Sequence, residues 1–303
     1  MNLVNKELKI KEMEEQLKTL EGQEYEELFV EIEKYKEETY SNLSSWDRVT
    51  LARHPQRKKA QDYIEKLFDR FYELHGDRKY GDDGAVIGGI GYFHDIPVTV
   101  IAQAKGKTLN ENMKRNFGMS HPEGYRKALR LAKQAEKFHR PIITFVDTAG
   151  AYPGLGAEER GQAQSIAECL YEFSSLKTPV ICVVISEGGS GGALALSVAD
   201  RICMLENSVY SILSPEGFAS ILWKDASRAE EAAEVMKLTA KDLYDKEIVD
   251  YIVSEPIGGV QNDFKLVIHD IDRYIYEELM KLKKTSMTQL IDQRYEKFRK
   301  IGR

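Results

Sequence analysis

The sequence predicts an α/β fold in which a largely parallel sheet is covered by helices on both faces. Three short β-branched runs, at 141–148, 179–186 and 201–206, alternate with helical patterns. Strands that are apolar on both faces and alternate with helices are typical of a buried parallel sheet. The chain has 303 residues, which is enough to bury a substantial core.

Charge and composition exclude several classes of protein. The chain carries 43 basic and 49 acidic residues, and this balance disfavours a protein whose main role is to coat nucleic acid. Residues 5–40 contain 12 Glu and 6 Lys and so account for the whole net charge of −6. The three cysteines form no CxxC pair, so we expect neither a disulfide framework nor a metal site in this chain.

No segment predicts export or a membrane span. The N-terminal residues lack the apolar stretch of a secretory signal. The most apolar segment, 178–199, contains four glycines, Pro179 and the charged Glu187, which a spanning helix would not accommodate. We therefore expect a cytoplasmic protein.

The N-terminal region predicts helices. Residues 3–40 predict two helices that form a hairpin. Their apolar stripes are formed by Leu8, Met13, Leu17 and Leu20, and after Gly22 by Leu28, Ile32 and Tyr35. Pro55 precedes a third predicted helix at about 57–74. The basic residues around it predict a solvated surface; they are Arg53, His54, Arg57, Lys58 and Lys59.

The rest of the chain predicts the core and a helical tail. Residues 85–93 and 97–104 predict a β-hairpin. Further helices are predicted at 122–138, 158–176, 191–200 and 263–301, and a last strand at 249–254. We therefore divide the chain into a helical arm (1–75), an α/β core (76–260) and C-terminal helices (261–303).

Two glycine-rich turns, 147–161 and 186–196, follow two of the buried strands. Ligands of parallel sheets bind beyond the carboxyl ends of the strands, where both turns should lie. The first amides of a helix have no acceptor within it, and glycine lets a ligand oxygen approach them closely. The second turn therefore predicts an oxyanion hole in which Gly191 and Gly192 donate. The alternative is that the glycines only permit close packing of helix and strand.

Other interpretations of these motifs were compared with their spacing. A dinucleotide or phosphate loop is excluded because Leu194 and Ile101 stand where glycines are needed. The run Gly188–Gly192 does match the G-x-S-x-G pattern of serine hydrolases, with Ser190 as nucleophile, but no histidine is identified as its base. Residues 105–140 hold ten basic and three acidic residues, which predicts either a solvated helix face or a surface for a phosphate-bearing ligand.

Several long motifs, in order, resemble one known family. They are LARHPQR, GDRKYGDDGAVIGGI, FGMSHPEGYRKALRLAKQAEKF, PIITFVDTAGAYPGLGAEERGQ, EGGSGGALAL and SILSPEGFASILWKD. The chain resembles the carboxyltransferase alpha subunits of bacterial acetyl-coenzyme A carboxylase over about residues 46–259. It departs from the family at Ala149, where proline is usual, and at Ser186, where glycine is common.

The resemblance implies a crotonase-like (ClpP/crotonase) spiral of ββα units with helical N- and C-terminal extensions. It implies a subunit that moves a carboxyl group from carboxybiotin to acetyl-CoA, giving malonyl-CoA for fatty acid biosynthesis. A biotin carboxylase that uses ATP would load the biotin of a biotin carboxyl carrier protein. A beta subunit with a zinc ribbon would share the active site and hold most of the coenzyme A. No nucleic acid or membrane partner is expected.

The resemblance also implies roles for residues. The amides of Gly191 and Gly192 would hold the ureido oxygen of biotin, whose basic nitrogen would take the proton from the acetyl group. Gly188 and Gly189, with Gly150, Ala151 and Tyr152 on the facing turn, would line the biotin site. Two alternatives remain: a stand-alone crotonase-fold hydrolase or hydratase that uses Ser190 or Glu187, and a non-catalytic scaffold.

Overall fold

The computed structural model describes residues 2–302 as one eight-stranded sheet with helices on both faces. The strands are β1 (Asp69–Glu73), β2 (Val86–Phe93), β3 (Ile96–Gln103), β4 (Ile142–Thr148), β5 (Val180–Gly189), β6 (Arg201–Leu205), β7 (Val209–Ser211) and β8 (Tyr251–Val253). The first helices are α1 (Leu3–Leu17), α2 (Gly22–Tyr40), α3 (Ser45–Ala52), α4 (Ala60–Leu67), α5 (Leu109–Lys114), α6 (Pro122–Lys137) and α7 (Leu155–Glu159). The others are α8 (Gln162–Ser175), α9 (Ser190–Leu194), α10 (Pro215–Trp223), α11 (Ala229–Met236), α12 (Ala240–Asp245), α13 (Phe264–Leu282) and α14 (Met287–Lys300).

The sheet is antiparallel at one edge and parallel elsewhere, with the strand order β1-β2-β3-β4-β5-β6-β8. The pairs β1–β2 and β2–β3 are antiparallel, whereas β3, β4, β5, β6 and β8 run parallel. The short β7 pairs with the end of β5. The predicted β-hairpin and the largely parallel sheet are both confirmed.

Each face of the sheet is covered by its own hydrophobic core. Ile143 and Phe145 of β4 pack on the face that α4 and α13 cover. Ile142 and Val146, which alternate with them, pack on the opposite face against α6 and α8. Side chains of a strand alternate between faces, so a strand buried on both faces must be apolar throughout.

The N-terminal arm is the predicted antiparallel helical hairpin, and its buried stripe departs from the prediction at Leu8. Lys36 of α2 pairs with Glu14 of α1 at 2.8 Å, and this contact aligns the two helices. Ile10, Met13 and Ile32 are buried, whereas the predicted stripe residue Leu8 is exposed. Leu8 is two residues from the buried Ile10, so it lies on the opposite, exposed side of α1.

Two predicted helices are too long. The helix predicted at 57–74 ends at Leu67, because Asp69–Glu73 pairs with β2 as the edge strand β1. Gly89 makes this pairing close, since a Cβ there would lie 2.8 Å from the Phe71 ring. The helix predicted at 191–200 is the five-residue α9, which ends at Leu194.

The C-terminal helix α14 is attached to the core by one buried arginine. Arg294 is 1% exposed and pairs with Asp200 at 2.7 Å. The same guanidinium donates to the carbonyl oxygens of Phe173, Leu176 and Thr178. A single side chain therefore satisfies three carbonyls in the last turn of α8 and just after it.

Within residues 2–302, the helices that cover the sheet are all too short or too polar to cross a bilayer.

Candidate active site

The two glycine-rich turns meet at the carboxyl ends of β4 and β5. A Cβ on Gly192 would lie 2.7 Å from the Ala151 nitrogen and 2.8 Å from the Gly150 carbonyl carbon. A Cβ on Gly189 would collide with the Ala149 carbonyl. Both glycines are therefore needed for the close approach of the two turns, as the packing interpretation predicts for them.

Ser190 begins α9 in the left-handed region, with φ of 54°, and its side chain is exposed. The strand β5 continues through Gly189, so the chain turns sharply from strand to helix at this one residue. Left-handed backbone is uncommon outside glycine and is concentrated at functional sites. The turn presents the amides of the next two residues outside the strand ladder.

The amides of Gly191 and Gly192 are the donors that the sequence predicts. In the part of the chain that the structure describes, no backbone or side-chain acceptor pairs with either amide. Gly191 is half-buried, and a Cβ there would make only an ordinary contact with Ile166 at 3.4 Å. A Cβ would therefore fit at Gly191, whereas the α-carbon of Gly192 lies against the facing turn.

The facing turn is held by its own hydrogen bonds. The Gly150 amide donates to Thr148 Oγ1 at 3.1 Å, and Gly150 faces open space. The Tyr152 amide donates to the Ser120 carbonyl at 3.0 Å. The Tyr152 ring packs on the His121 imidazole with 4.2 Å between the ring centroids. The structure therefore places Gly150 and Ala151 against Gly192 of the second turn, whereas the Tyr152 ring packs on His121.

Two buried glutamines that the sequence analysis missed join these turns to the core. Gln103 Nε2 donates to the Gly192 carbonyl at 2.6 Å. Gln162 Nε2 donates to the carbonyls of Ser120 and Tyr152 at 2.8 and 2.9 Å. Gln103 could have been found from the sequence, because it is a polar residue at the end of the apolar strand β3. Buried amides are nearly always hydrogen-bonded, so such a residue indicates a specific partner.

A chain of alternating charges lies behind the second turn. Lys105 Nζ is 2.6 Å from Glu187 and 2.9 Å from Asp147. Lys105 lies just after β3, and the two carboxylates lie near the ends of β5 and β4. Glu187 also pairs with Arg53 at 2.7 Å, and Arg53 pairs with Glu216 of α10 at 2.5 Å. The five side chains connect the three strand ends to α10.

Neighbouring charges, and not burial, decide the direction of the pKa shifts in this row of charged side chains. Burial alone would raise the pKa of Glu187, but Lys105 and Arg53 outweigh it and lower the pKa to about 2. Burial alone would lower the pKa of Lys105, but Asp147 and Glu187 raise it to about 12. Both groups are therefore charged at neutral pH.

The surroundings of Glu187 and Ser190 argue against the hydrolase and hydratase alternatives. A general base works best with a pKa near the operating pH, and the pKa of Glu187 is far below it. Among residues 2–302, no side chain that could act as a base is hydrogen-bonded to Ser190 Oγ. The backbone amides remain as the chemically competent groups of the turn.

Several residues of the two basic clusters, 53–59 and 105–140, pair with carboxylates of this chain. Lys127 is fully buried and pairs with Asp82, and Arg126 pairs with Asp77. Lys133 pairs with Glu172 on the surface. Arg57, predicted on a solvated surface, is instead buried against Glu255 at 2.7 Å, because its guanidinium fork matches that carboxylate. Of the residues 2–302, no group of three or more His, Cys, Asp or Glu could hold a metal ion.

Comparisons of the sequence point to one family. The family model described as "Acetyl co-enzyme A carboxylase carboxyltransferase-like" matches residues 1–302. The chain is 56% identical to the acetyl-coenzyme A carboxylase carboxyl transferase subunit alpha of Alkaliphilus oremlandii, over 92% of this chain and 88% of the relative. It is 54% identical to the subunit of the same name from Geobacillus thermodenitrificans, over 99% of this chain and 93% of the relative.

Comparisons of the structure agree on the fold. The chain is similar to a transcarboxylase 12S crystal structure with a TM-score of 0.62 and 19% identity, over 76% of this chain and 43% of that one. It is also similar to a chain of a Pseudomonas malonate decarboxylase hetero-tetramer in complex with coenzyme A, with a TM-score of 0.58 and 16% identity, over 71% and 86%. The fold is crotonase-like, with flanking helices.

Proposed function

This chain belongs to the acetyl co-enzyme A carboxylase carboxyltransferase alpha subunit family, and on that premise we propose which of its residues carry the reaction. It is a subunit of an enzyme that transfers a carboxyl group to acetyl-CoA. The Gly191 and Gly192 amides are the catalytic donors. The observation that carries this assignment is that both amides lack an acceptor at a sharp strand-to-helix turn.

The proposed mechanism uses backbone electrostatics. Donors that are already oriented toward a developing negative oxygen stabilise it without reorganisation, and the loss of one such donor typically costs about 3–4 kcal/mol. Gln103 fixes the peptide that follows Gly192, and the Ser190 turn orients the peptides before it. Glu187 is held ionised by two cations, so it takes no proton during the reaction.

Carboxybiotin on a carrier protein fits this arrangement as the carboxyl donor. Gly150 faces open space and Gly191 makes only an ordinary contact with Ile166, which leaves room beside the free amides for an anionic ureido oxygen. When bound, this group supplies the carboxyl to be transferred and a nitrogen that is basic enough to accept a proton. Gly188, Gly189, Gly150, Ala151 and Tyr152 would line its site. Acetyl-CoA would be the acceptor, with malonyl-CoA as the product.

The proposed partners follow from an incomplete site. Next to the cleft that Ser211 and Pro215 line, the apolar residues Ile212, Ile221 and Leu222 are 60–75% exposed. Exposed apolar groups of this kind mark protein contacts. We assign them to a zinc-ribbon beta subunit that completes the active site. The biotin carboxyl carrier protein and biotin carboxylase would supply the loaded biotin, in the cytoplasm.

The three-part division is also kept as a proposal. Residues 1–75 would form the helical arm, 76–260 the catalytic core and 261–303 the C-terminal helices. Strand β1 lies within the first part and pairs with the core sheet. The arm is therefore tied to the core through its last residues.

Reconstitution tests the proposed function. The purified chain is assayed for malonyl-CoA formation from acetyl-CoA and carboxybiotin, alone and with a zinc-ribbon beta subunit. We expect transfer only in the complex. Full activity of the lone chain would overturn the shared site.

A serine variant tests the chemistry in the same assay. Ser190→Ala keeps every backbone amide, so the complex should retain most of its activity. A hydrolase that depends on this nucleophile would lose nearly all of it. A covalent adduct trapped on Ser190 would contradict the proposed backbone mechanism.

A further inference from the structure

A short segment of the N-terminal arm is bonded to the last residues of β5. Ser186 Oγ donates to the Ala52 carbonyl at 2.7 Å, and Arg57 Nε donates to the Ile185 carbonyl at 2.8 Å. Between these two contacts, Arg53 Nε donates to Glu187 at 2.7 Å. Three consecutive residues of the strand, 185–187, are therefore fixed by residues 52–57, more than 120 positions away in the sequence.

Glu187 is the last residue with a substantial side chain before the run Gly188–Gly192. Four of the five residues that follow are glycines, and glycine restricts its backbone less than any other residue. Glu187 is 12% exposed in its side chain, and both of its oxygens are bonded, one to Arg53 and one to Lys105. The backbone of the turn therefore depends on an anchor immediately before it.

Lys105 connects that anchor to the facing turn. Its ammonium bridges Glu187 of β5 and Asp147 of β4. Asp147 is fully buried, and both of its carboxylate oxygens lack a well-aligned hydrogen bond. Lys105 therefore sets the separation of the two strand ends from which the two glycine-rich turns begin.

We propose that Arg53 and Lys105 are positioning residues for carboxyl transfer, which act by clamping Glu187 so that the Gly191 and Gly192 amides keep their geometry. This inference rests on the proposed function of those amides. A buried ion pair is poor evidence of a stabilising role, because apolar replacements are often equally stable. Its position directly before the glycine-rich turn gives it a different role: the clamp defines where the donors lie.

The principal test is Glu187→Gln in the complete alpha–beta complex. The amide removes the charge that holds both cations while its size is unchanged. We expect kcat per assembled complex to fall about 10²-fold, the scale of a 1 Å misplacement of catalytic groups. KM for acetyl-CoA should stay within about threefold, because the acceptor is bound elsewhere and the loss falls on the transition state.

A matched control separates positioning from simple loss of an ion pair. Glu172→Gln removes the carboxylate that pairs with Lys133 at 2.6 Å, also between two elements, far from the turns. Its kcat and KM should equal those of the unaltered complex. All variants are assayed at 15 °C and at 37 °C, since a defect in stability alone would disappear at the lower temperature.

Two variants of Arg53 keep the test decisive if Glu187→Gln does not fold. Arg53→Met should lower kcat with little change in KM, and Arg53→Lys, which keeps one charged donor for Glu187, should restore most of it. Where Glu187→Gln folds, the double variant with Arg53→Met should be no slower than Glu187→Gln alone, because both changes act through one group.

The outcomes distinguish this inference from its premise. If the unaltered complex transfers carboxyl and both Glu187→Gln and Arg53→Met keep normal kcat, the positioning role is wrong and the proposed function stands. Equal losses in Arg53→Met and Arg53→Lys, or additive losses in the double variant, would also overturn it. An unaltered complex without transfer activity overturns the proposed function and the inference together.

Discussion

The acidic hairpin α1–α2 and the segment behind the second glycine turn are both rich in charge, but they place it in opposite environments. In the hairpin, the paired side chains of Lys18 and Glu15 are 68% and 61% exposed. Behind the turn, Arg57 and Glu255 form a pair of which both side chains are 0% exposed. The sequence predicts a solvated surface for residues 53–59, yet Arg57 is buried, so charge density alone does not distinguish a surface from an anchor.

The two environments give the same pairing different energetic consequences. Exposed ion pairs contribute little to stability and are screened by salt. A buried pair contributes little net stability as a unit, but removal of one partner strands the other charge in a medium that cannot solvate it. Substitutions in the two regions should therefore differ greatly in effect.

The largest effect is expected at the glycine turn itself, for Gly192→Val. The added carbons would meet the Ala151 nitrogen, the Gly150 carbonyl carbon and the Tyr125 hydroxyl, all within 2.8 Å. Turnover should fall by about 10²–10³, as when an oxyanion donor is displaced. Overpacking should also cost about 1–3 kcal/mol of unfolding free energy. Activity and thermal unfolding of one preparation of the complex measure both.

A glycine in the hairpin provides the control for this change. Gly22 has φ of 62° but no atom within 4 Å of the position of a Cβ. Gly22→Asn, which tolerates left-handed backbone, should leave activity and melting unchanged. Normal carboxyl transfer by a folded Gly192→Val complex would exclude Gly192 from the site.

The next largest effect is expected for Arg57→Met behind the turn. The change leaves Glu255 buried without its guanidinium, and the chain should lose about 3–5 kcal/mol of unfolding free energy. Denaturant titration measures the loss. Arg57→Lys keeps a charge but lacks the two-pronged geometry, so it should fall between the unaltered protein and Arg57→Met. An unchanged midpoint in Arg57→Met would remove the contrast between the two regions.

The smallest effect is expected for Glu15→Gln in the hairpin. Lys18 and Glu15 are solvated with or without each other, so the melting temperature should not move measurably. A calorimetric scan at low and at high salt checks this. A clear, salt-dependent loss would show that the hairpin uses its charges as the buried segment does.

The strands were predictable because their signal is local. Continuous β-branched runs identified β2 to β6 to within a few residues, and buried parallel strands require such runs. The edge strand β1 was missed because Asp69–Glu73 mixes charged and aromatic residues, and only pairing with β2 makes it extended. Helix α10 was missed because its sequence is apolar on most sides and shows no clear periodicity.

The candidate site was predictable only in its backbone part. The glycine pattern identified both turns and the free amides, since glycine content is visible in the sequence. The supporting side chains were not identifiable, because Arg53, Lys105 and Glu187 lie far apart in the chain. The strand order alone brings Lys105, Asp147 and Glu187 to neighbouring strand ends.

The buried Arg294 is made later than all of the acceptors that it pairs with. The carbonyls of Phe173, Leu176 and Thr178 and the carboxylate of Asp200 are all made before the arginine that satisfies them. Asp200 precedes Arg294 by 94 residues in the chain. Ribosomes add about 5–20 residues per second, so these acceptors are made several seconds before their partner. The nascent core is therefore unfinished at this place until α14 arrives. If α14 failed to dock, the sheet would be left with three unpaired carbonyls and an unpaired carboxylate beside it.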